Sequence, residues 1–206
     1  MIVIGARGHA KEVLDIVEIP YKNQELFFFD NVTNYAESDT FNGYKLVKDI
    51  DHAAKILANN NAFSLALGGT LIREKLFNMF VEMKGVPISI IASNSFLSKS
   101  AIIGNGINLM QYSSILGNAK VGKGSLINAY ASIHHDVEIG EFSEISPGAR
   151  VLGNSTLGDR CTVGSNAVIL PGCKIVNDVI IGAGAVVTKD ISASGVYVGI
   201  PAKQIK

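Results

Sequence analysis

A six-residue repeat between Leu97 and Val187 is the feature that most constrains what this chain can fold into. Every sixth position of this stretch is Leu, Ile or Val, without a polar exception. A helix has a period of about 3.6 residues and a simple strand one of about 2, so a period of six indicates short strands separated by bends. Three such segments close a triangular coil, and an apolar residue followed by glycine recurs every 18 residues, at Ile103-Gly104, Val121-Gly122, Ile139-Gly140 and Leu157-Gly158. We therefore expect a solenoid of about five stacked turns that bury their apolar residues against one another.

The places between the repeated apolar residues support the same interpretation. The fourth place after each one holds a small or aliphatic residue, and turn formers are common in the two places between, as at Gly117-Asn118, Pro147-Gly148 and Pro171-Gly172. After the repeat, the chain carries the sequence Gly199-Ile200-Pro201-Ala202-Lys203. These features resemble the hexapeptide-repeat acyltransferases. The resemblance implies a left-handed parallel β-helix, whereas the spacing by itself indicates only a coil.

The first 92 residues lack the repeat and alternate between apolar runs and helical spacing. Apolar runs predict strands at residues 2–4, 26–29, 63–67 and 86–91. Helical spacing predicts helices at residues 10–19, 49–59 and 71–84, with Pro20 ending the first and Thr70 as the N-cap of the last; a polar loop is predicted over 31–43. This alternation indicates a small Rossmann-like parallel sheet flanked by helices. We divide the chain into an α/β domain of residues 1–92 and a β-helix domain of residues 93–206.

The composition argues against several classes of partner. The formal net charge is zero and Lys and Arg do not cluster, so we expect neither a nucleic acid nor an anionic membrane as partner. We also expect no signal peptide and no membrane span, because no apolar run has the required length or flanks. The two cysteines, Cys161 and Cys173, fall on the small inward place of the repeat, where we expect them to fill the core as free thiols. These features fit a reducing, cytoplasmic setting.

Three predicted strands end in glycine or polar residues at one edge of the small sheet. Gly5 and Gly8 bracket the turn after the first strand, Asp30 ends the second, and Gly68-Gly69 closes the third. Free backbone N–H groups at a helix N-terminus suit a phosphate, and an acid after the second strand suits a ribose. A tight turn would also account for the glycines, and a cap for Asp30. We expect a crevice for a nucleotide-type ligand other than NAD, because the sheet is too small for two mononucleotide halves.

The repeat breaks its own pattern at His134-His135-Asp136. The equivalent corners one turn before and one turn after hold Leu116-Gly117-Asn118 and Leu152-Gly153-Asn154, so His135 and Asp136 replace turn residues. Side chains at a corner project away from the packed interior, and a histidine there is therefore not core filling. An imidazole is the natural general base near neutral pH, and an adjacent carboxylate can fix its tautomer and stabilise the imidazolium. The alternative for His135 is a solvated turn residue.

The whole layout is similar to one branch of the hexapeptide acyltransferases, with a Gly-x-x-Gly-His turn in a small α/β domain and a His-Asp corner in the coil. Members of that branch acetylate sialic acid or, more often, the 4-amino group of 4-amino-4,6-dideoxyhexoses linked to UDP, dTDP or GDP. The resemblance implies that His135 is the catalytic base and that Asp136 raises its basicity. It also implies that the nucleotide-linked aminosugar binds at Arg7, Gly8, His9, Asp30, Asn31 and Gly68. Relatives commonly carry a second acid at the place of Asn31, and this difference bears on the nucleotide or sugar accepted.

The same resemblance implies acetyl-CoA as cosubstrate, with no metal ion, bound along the coil between adjacent subunits of a homotrimer. Backbone contacts to acetyl-CoA are implied at Ser165 and Ala183. Glu144 stands where the family often has a second histidine close to the acetyl group, and we assign it to the acetyl-CoA site with that departure noted. An outward column of Leu116, Leu152 and Leu170 fits a buried subunit contact.

We therefore expect an acetyl-CoA-dependent N-acetyltransferase of bacterial surface-glycan biosynthesis, such as that of lipopolysaccharide, located in the cytoplasm. O-acetylation of sialic acid is the main alternative, because an alcohol acceptor also needs a base. A carbonic anhydrase built on the same coil is more distant, since it needs three histidines around zinc and this coil offers only His134 and His135. A non-catalytic trimeric scaffold would leave the His-Asp corner unexplained.

Overall fold

The structure of the chain, a computed structural model, describes residues 1–18, 25–32 and 40–206. An α/β layer comes first, and a three-sided coil of parallel strands follows it. The predicted end of the first helix at Ile19 and Pro20, and most of the polar loop predicted after Asn31, lie outside the described residues.

The α/β layer contains a sheet that has six strands in the described part of the chain. They are β1 (Ile2–Ile4), β2 (Phe27–Phe29), β3 (Thr40–Phe41), β4 (Tyr44–Val47), β5 (Ala62–Leu65) and β6 (Val86–Pro87), in the order β3-β4-β2-β1-β5-β6. Neighbouring strands are parallel except for the β3–β4 hairpin at one edge. Helix α1 (Gly8–Val17) packs on one face, and α2 (Ile50–Asn59) and α3 (Thr70–Glu82) pack on the other. The predicted small Rossmann-like parallel sheet is thus confirmed, with the carboxyl ends of β1, β2 and β5 at one edge.

Two predictions for this layer are wrong at the level of single elements. Helix α3 begins at Thr70 itself, and Gly69, with φ 84°, occupies the N-cap place that was predicted for Thr70. A left-handed φ at this place suits glycine, which has no Cβ to clash with the backbone. Strand β3 lies where the polar loop was predicted. Its polar sequence does not indicate a strand, and the strand forms through its hydrogen bonds to the hairpin partner β4.

The strand predicted from Val86 to Ile91 is in fact two strands. Val86–Pro87 pairs with β5, whereas Ile90–Ile91 pairs with Asn108–Leu109 of the coil. Ile91 is six residues before Leu97, so the six-residue repeat already begins there. The chain passes from the α/β sheet to the coil within one apolar run, and the sequence therefore does not show the boundary between the two strands. The division of the chain into domains at residues 92 and 93 stays a prediction.

The coil strands lie within residues 90–204, all of which are described, and form three sheets. The first coil sheet contains Ile90–Ile91, Asn108–Leu109, Leu126–Ile127, Glu144–Ile145, Thr162–Val163, Val179–Ile181, Gly195–Val198 and Lys203–Gln204. The second coil sheet contains Phe96–Leu97, Ser114–Ile115, Ser132–Ile133, Arg150–Val151, Val168–Ile169 and Val186–Val187. The third coil sheet contains Ile102–Ile103, Lys120–Val121, Glu138–Ile139, Thr156–Leu157 and Lys174–Ile175. Ile115 pairs with Ile133 and Ile133 with Val151, so each turn of the coil takes eighteen residues and the predicted parallel β-helix is confirmed.

The repeated apolar residues fill the interior of the coil, and from Leu109 to Val187 all of them are buried. Cys161 and Cys173 lie among them as free thiols, as predicted, and burial raises the pKa of both. The corners turn through left-handed residues, such as Asn118 with φ 59° and Asp136 with φ 57°. Asn and Asp tolerate this conformation better than most side chains, which accounts for their frequency at the corners.

The α/β layer packs on the first coil sheet and on the corner between the third and first coil sheets. Met110 and Leu126 join the apolar cluster of α1, and Phe142 joins the cluster of α2 and α3, where its ring meets Phe77 edge to face at 5.3 Å. The corner between the second and third coil sheets, which carries residues 135 and 136, is on the opposite side of the coil. The coil therefore separates the α/β layer from the His-Asp corner within one chain.

Candidate active site

His135 and Asp136 occupy a tight corner between the second and third coil sheets, as the sequence predicted. The backbone N–H of Asp136 donates to the carbonyl of Gly117 on the turn before, and the carbonyl of His135 accepts from Asn154 on the turn after, both within 3.1 Å. The corner is thus fixed by the same ladder that holds the whole coil. The imidazole is 61% exposed, so a substrate can reach it.

The two side chains form a hydrogen-bonded pair. Nδ1 of His135 lies 2.8 Å from Oδ2 of Asp136, and the Asn118 amide donates to the other carboxylate oxygen over 3.2 Å. The hydrogen bond with His135, and then the one from Asn118, hold the pKa of Asp136 below its ordinary value. An ionised carboxylate only accepts, so Nδ1 carries the proton and Nε2 keeps its lone pair. The arrangement therefore presents Nε2 as a base, with a carboxylate placed to stabilise the imidazolium.

The carboxyl ends of β1, β2 and β5 enclose a crevice of about 590 Å³ in the α/β layer. Of the residues that the sequence assigned to the nucleotide-linked aminosugar, five line this crevice: Arg7, His9, Asp30, Asn31 and Gly68. Gly8 does not line it; it is the first residue of α1, beside His9. The predicted edge of the sheet is thus a real cavity, large enough for a ligand of nucleotide size.

His9 is a largely buried polar group of the crevice. Its side chain is 14% exposed, Nδ1 lies 2.9 Å from a carboxylate oxygen of Glu12, and Nε2 is buried without a hydrogen-bond partner. Burial lowers the pKa of His9, an effect that the hydrogen bond to Glu12 partly opposes. A neutral imidazole with Nδ1–H facing Glu12 leaves Nε2 free to accept a hydrogen bond from a ligand.

One wall of the crevice was missed by the sequence analysis. It is formed by four residues of α3, which are Ile72, Lys75, Leu76 and Met79. These residues follow the i, i+3, i+4, i+7 spacing of one helix face, directly after Gly68-Gly69, and that spacing is the signal that could have found them. They add apolar surface and one cation to the crevice. Asp30 itself accepts a hydrogen bond from the backbone of Val32 at 3.0 Å, which is the cap that was considered for it.

Within one chain, the three residues assigned to acetyl-CoA do not lie on the corner of the coil that carries His135. Ser165 and Ala183 occupy equivalent corners on adjacent turns between the first and second coil sheets, where the Ser165 carbonyl accepts from Gly184 at 2.8 Å. The Glu144 carboxylate instead points toward the α/β layer and accepts a hydrogen bond from the backbone N–H of Gly69 at 2.7 Å. Their roles toward acetyl-CoA stay predictions.

Two general features of the described residues bear on the site. No group of three or more His, Cys, Asp or Glu side chains within residues 1–18, 25–32 and 40–206 could hold a metal ion. Helices α1, α2 and α3 also lack the combined length and apolar character that a bilayer crossing would demand.

Family profiles match both parts of the chain. The profile of the PglD N-terminal domain matches residues 1–80, and that of the bacterial transferase hexapeptide repeat matches residues 118–153 and 154–189. A search of curated proteins finds no match.

Solved structures match along the whole length. The perosamine N-acetyltransferase of Caulobacter crescentus, solved with CoA and GDP-perosamine, has a TM-score of 0.89 and 26% identity over 100% of this chain and 96% of its own. The acetyltransferase domain of PglB from Neisseria gonorrhoeae, solved with acetyl coenzyme A, has a TM-score of 0.89 and 27% identity over 99% and 98%. WeeI from Acinetobacter baumannii has a TM-score of 0.91 and 29% identity over 99% and 98%. All three share both the α/β layer and the coil with this chain.

Proposed function

Since the chain belongs to the hexapeptide-repeat acetyltransferases that carry a PglD-type N-terminal domain on a left-handed β-helix, we propose that it transfers the acetyl group of acetyl-CoA to a nucleotide-linked aminosugar. The acceptor is the 4-amino group of a 4-amino-4,6-dideoxyhexose. The observation that carries this proposal is the likeness, over the entire chain, to an N-acetyltransferase solved with CoA and GDP-perosamine. The imidazole paired with Asp136 and the crevice of nucleotide size support a base and an acceptor site for such a reaction.

In the proposed reaction, the sugar amine attacks the thioester carbonyl of acetyl-CoA while Nε2 of His135 takes a proton from the amine. The carbonyl oxygen becomes an oxyanion, which a backbone N–H of the coil holds. When the tetrahedral intermediate collapses, the C–S bond breaks, CoA leaves as its thiolate, and the imidazolium can return the proton to it. Asp136 stabilises the imidazolium through the Nδ1 hydrogen bond. A positioned base of this kind contributes about 100- to 10,000-fold in rate.

The crevice of the α/β layer is the proposed site for the nucleotide and its sugar. Arg7 and the start of α1 at Gly8 would face the phosphates, because a cation and free backbone N–H groups favour anions there. Asp30 and Asn31 would bind the ribose or the base, and His9 would meet the ligand through its unpartnered Nε2. Gly68 lines the crevice at the end of β5, where a Cβ atom would lie 3.2 Å from the Glu144 carboxylate.

We propose a homotrimer in which acetyl-CoA lies between adjacent coils. Within one chain the crevice and His135 lie on opposite sides of the coil, and Ser165 and Ala183 are on a different corner from His135. A neighbouring protomer would bring these groups together. The half-buried column of Leu116, Leu152 and Leu170 beside the His135 corner supports an apolar subunit contact there.

The proposed biological setting is bacterial surface-glycan assembly, such as that of lipopolysaccharide, in the cytoplasm. Both substrates are nucleotide-activated metabolites, and the two free, buried cysteines suit a reducing compartment.

The test is CoA release from acetyl-CoA, with the product mass, against UDP-, dTDP- and GDP-linked 4-amino-4,6-dideoxyhexoses, together with free and CMP-linked sialic acid. We expect one acetyl group to be added to an aminosugar, a loss of at least about 100-fold in kcat for His135→Ala, and a smaller loss for Asp136→Asn. Acetylation of sialic acid alone would favour the O-acetyltransferase alternative. Full activity of His135→Ala would remove the histidine from the mechanism.

A further inference from the structure

We infer that Gly153 positions the catalytic base, because its missing side chain leaves the space in which the His135 imidazole lies. The inference rests on the proposed function in assigning His135 as the base. Gly153 is one turn of the coil after His135 and occupies the same place at the same corner.

The distances around Gly153 carry the inference. A Cβ atom at this position would lie 2.6 Å from Cε1, 2.7 Å from Nε2 and 3.1 Å from Nδ1 of His135. Non-bonded carbon atoms prefer a separation of about 3.5 to 4.0 Å, so no side chain, even a methyl group, fits beneath the ring as it stands. The imidazole therefore rests on the backbone of Gly153.

The turn itself does not require glycine at this position. The φ angle of Gly153 is not positive, so alanine could adopt its backbone conformation. Gly117, at the same place one turn before His135, makes a natural comparison, since a Cβ there would meet only Ser100 Oγ, at 3.6 Å. The two equivalent glycines thus differ in whether a histidine ring occupies the place where a Cβ atom would stand.

A methyl group at Gly153 would displace the base and leave the fold in place. The imidazole is largely exposed and can turn outward. The corner itself is held by backbone hydrogen bonds, in which Asn154 N–H donates to the His135 carbonyl and Gly172 N–H donates to the Gly153 carbonyl. Turning the ring outward would break or bend the 2.8 Å contact between Nδ1 and Asp136. The reactive nitrogen would then lose both its direction and its fixed tautomer.

The first experiment compares the kinetics of Gly153→Ala with those of Gly117→Ala. We expect Gly153→Ala to lose about 10- to 100-fold in kcat, because a displacement of the order of 1 Å can cost about 100-fold. The KM values for acetyl-CoA and for the nucleotide-linked sugar should stay near those of the wild type, since neither binding site is touched. Gly117→Ala should behave as the wild type. An unchanged kcat for Gly153→Ala, or an equal loss in both variants, would overturn the inference.

A double variant separates action through His135 from any other effect of the methyl group. In the His135→Ala background there is no ring to displace, so adding Gly153→Ala should reduce neither the residual kcat nor the melting temperature any further. A further loss of either would show that Gly153 acts by a different route. The same background keeps the test valid if the single variant folds poorly.

The nitrogen NMR spectrum of the imidazole gives a readout that needs no turnover. With uniformly ¹⁵N-labelled protein, and with His135→Ala to assign the signals, we expect a proton on Nδ1 in the wild type and in Gly117→Ala. Gly153→Ala should show a mixture of the two tautomers, because Asp136 no longer selects one. Absence of any acetyl transfer by the wild type would defeat the proposed function alone, while an unchanged His135 spectrum in Gly153→Ala would defeat the inference about Gly153.

Discussion

His9 shows how burial prepares a polar residue for a ligand. Its ring lines the crevice, with one nitrogen hydrogen-bonded to Glu12 and the other without a hydrogen-bond partner. A buried polar atom without a hydrogen bond costs free energy that a ligand can recover by pairing with it. The unpartnered Nε2 thus favours a ligand with a hydrogen-bond donor, such as a sugar or ribose hydroxyl.

The same burial makes the stability of the protein depend on pH through His9. Its pKa in the folded state is below the ordinary value of 6.5, so below that pH the unfolded chain takes up a proton that the folded chain resists. Stability should therefore fall as the pH is lowered through and below 6.5, down to the folded-state pKa of His9. We expect the melting temperature of the wild type to fall more steeply than that of His9→Gln between about pH 7.5 and 5.5. Parallel curves would show that His9 is solvated rather than buried.

At this scale the sequence predicted positions better than contacts. The corner position of His135 and Asp136 could be predicted because these residues interrupt a strict repeat, and repeats make exceptions visible. The contact between Gly153 and the imidazole could not, because the corner one turn before His135 also carries glycine and the two glycines look alike in the sequence. Only the distance from the imidazole separates them.

Among the elements, α3 connects the crevice to the coil. Arg73 of α3 is fully buried, and its guanidinium donates to the carbonyls of Leu67 and Gly124 and to the side-chain oxygen of Asn108 over 2.6 to 2.8 Å. Burial lowers the pKa of Arg73 to about 10, while the nearby Glu144 carboxylate acts in the opposite direction, so the group remains a cation at neutral pH. The end of β5 is thereby tied to two turns of the coil.

Glu144 continues this connection from the coil side, and its removal should affect the crevice. Its carboxylate accepts from Gly69 N–H, next to Gly68 in the crevice wall. We expect Glu144→Ala to raise the KM for the nucleotide-linked sugar by about tenfold, the cost of one charge-assisted hydrogen bond, with the KM for acetyl-CoA unchanged. Steady-state kinetics with each substrate varied in turn measures both values.

Thr162→Ala is the matched control for Glu144, because Thr162 occupies the equivalent place one turn later in the first coil sheet. It should leave both KM values unchanged. A rise in the KM for acetyl-CoA in the Glu144 variant would instead support the role that the family resemblance assigned to this position.

The elements of the coil were easier to predict than those of the α/β layer. In the coil, every turn repeats one pattern, and each strand is specified by its own apolar residue. In the α/β layer, the hairpin β3–β4 and the N-cap of α3 depend on partners distant in sequence or on the backbone freedom of Gly69, neither of which an apolar pattern reports.

At the scale of the whole molecule, the crevice and the His-Asp corner lie on different sides of one chain. The crevice opens in the α/β layer, which covers the first coil sheet, while His135 stands on the corner opposite that sheet. In the proposed trimer, the crevice of one protomer would approach the corner of another. We expect a mass of three times the 21.9 kDa of one chain by light scattering.

Mixed oligomers test the shared site directly. In the proposed site, His135→Ala would lack the base and Asp30→Ala would bind the nucleotide-linked sugar poorly, so each should be inactive at low substrate concentration. When the two variants are co-expressed, some interfaces pair an intact crevice with an intact His135. Random mixing restores about a quarter of the wild-type interfaces, and therefore about a quarter of its rate.

The control for mixing is to combine the two purified variants without exchange of subunits, which should yield no activity. Co-expressed variants that remain inactive, although mass spectrometry shows mixed oligomers, would place the whole site within one protomer.

The way in which the coil completes the α/β layer also has a consequence for biosynthesis. Met110 and Leu126 of the coil complete the apolar cluster on one face of the α/β sheet, and Phe142 completes the cluster on the other face. When only the first 91 residues of a nascent chain have emerged from the ribosome, the sheet therefore exposes apolar surface on both faces. This exposure lasts until Phe142 has also emerged. Such surfaces are where nascent proteins aggregate or recruit chaperones. For this protein, the vulnerable interval of synthesis ends when its third coil turn emerges.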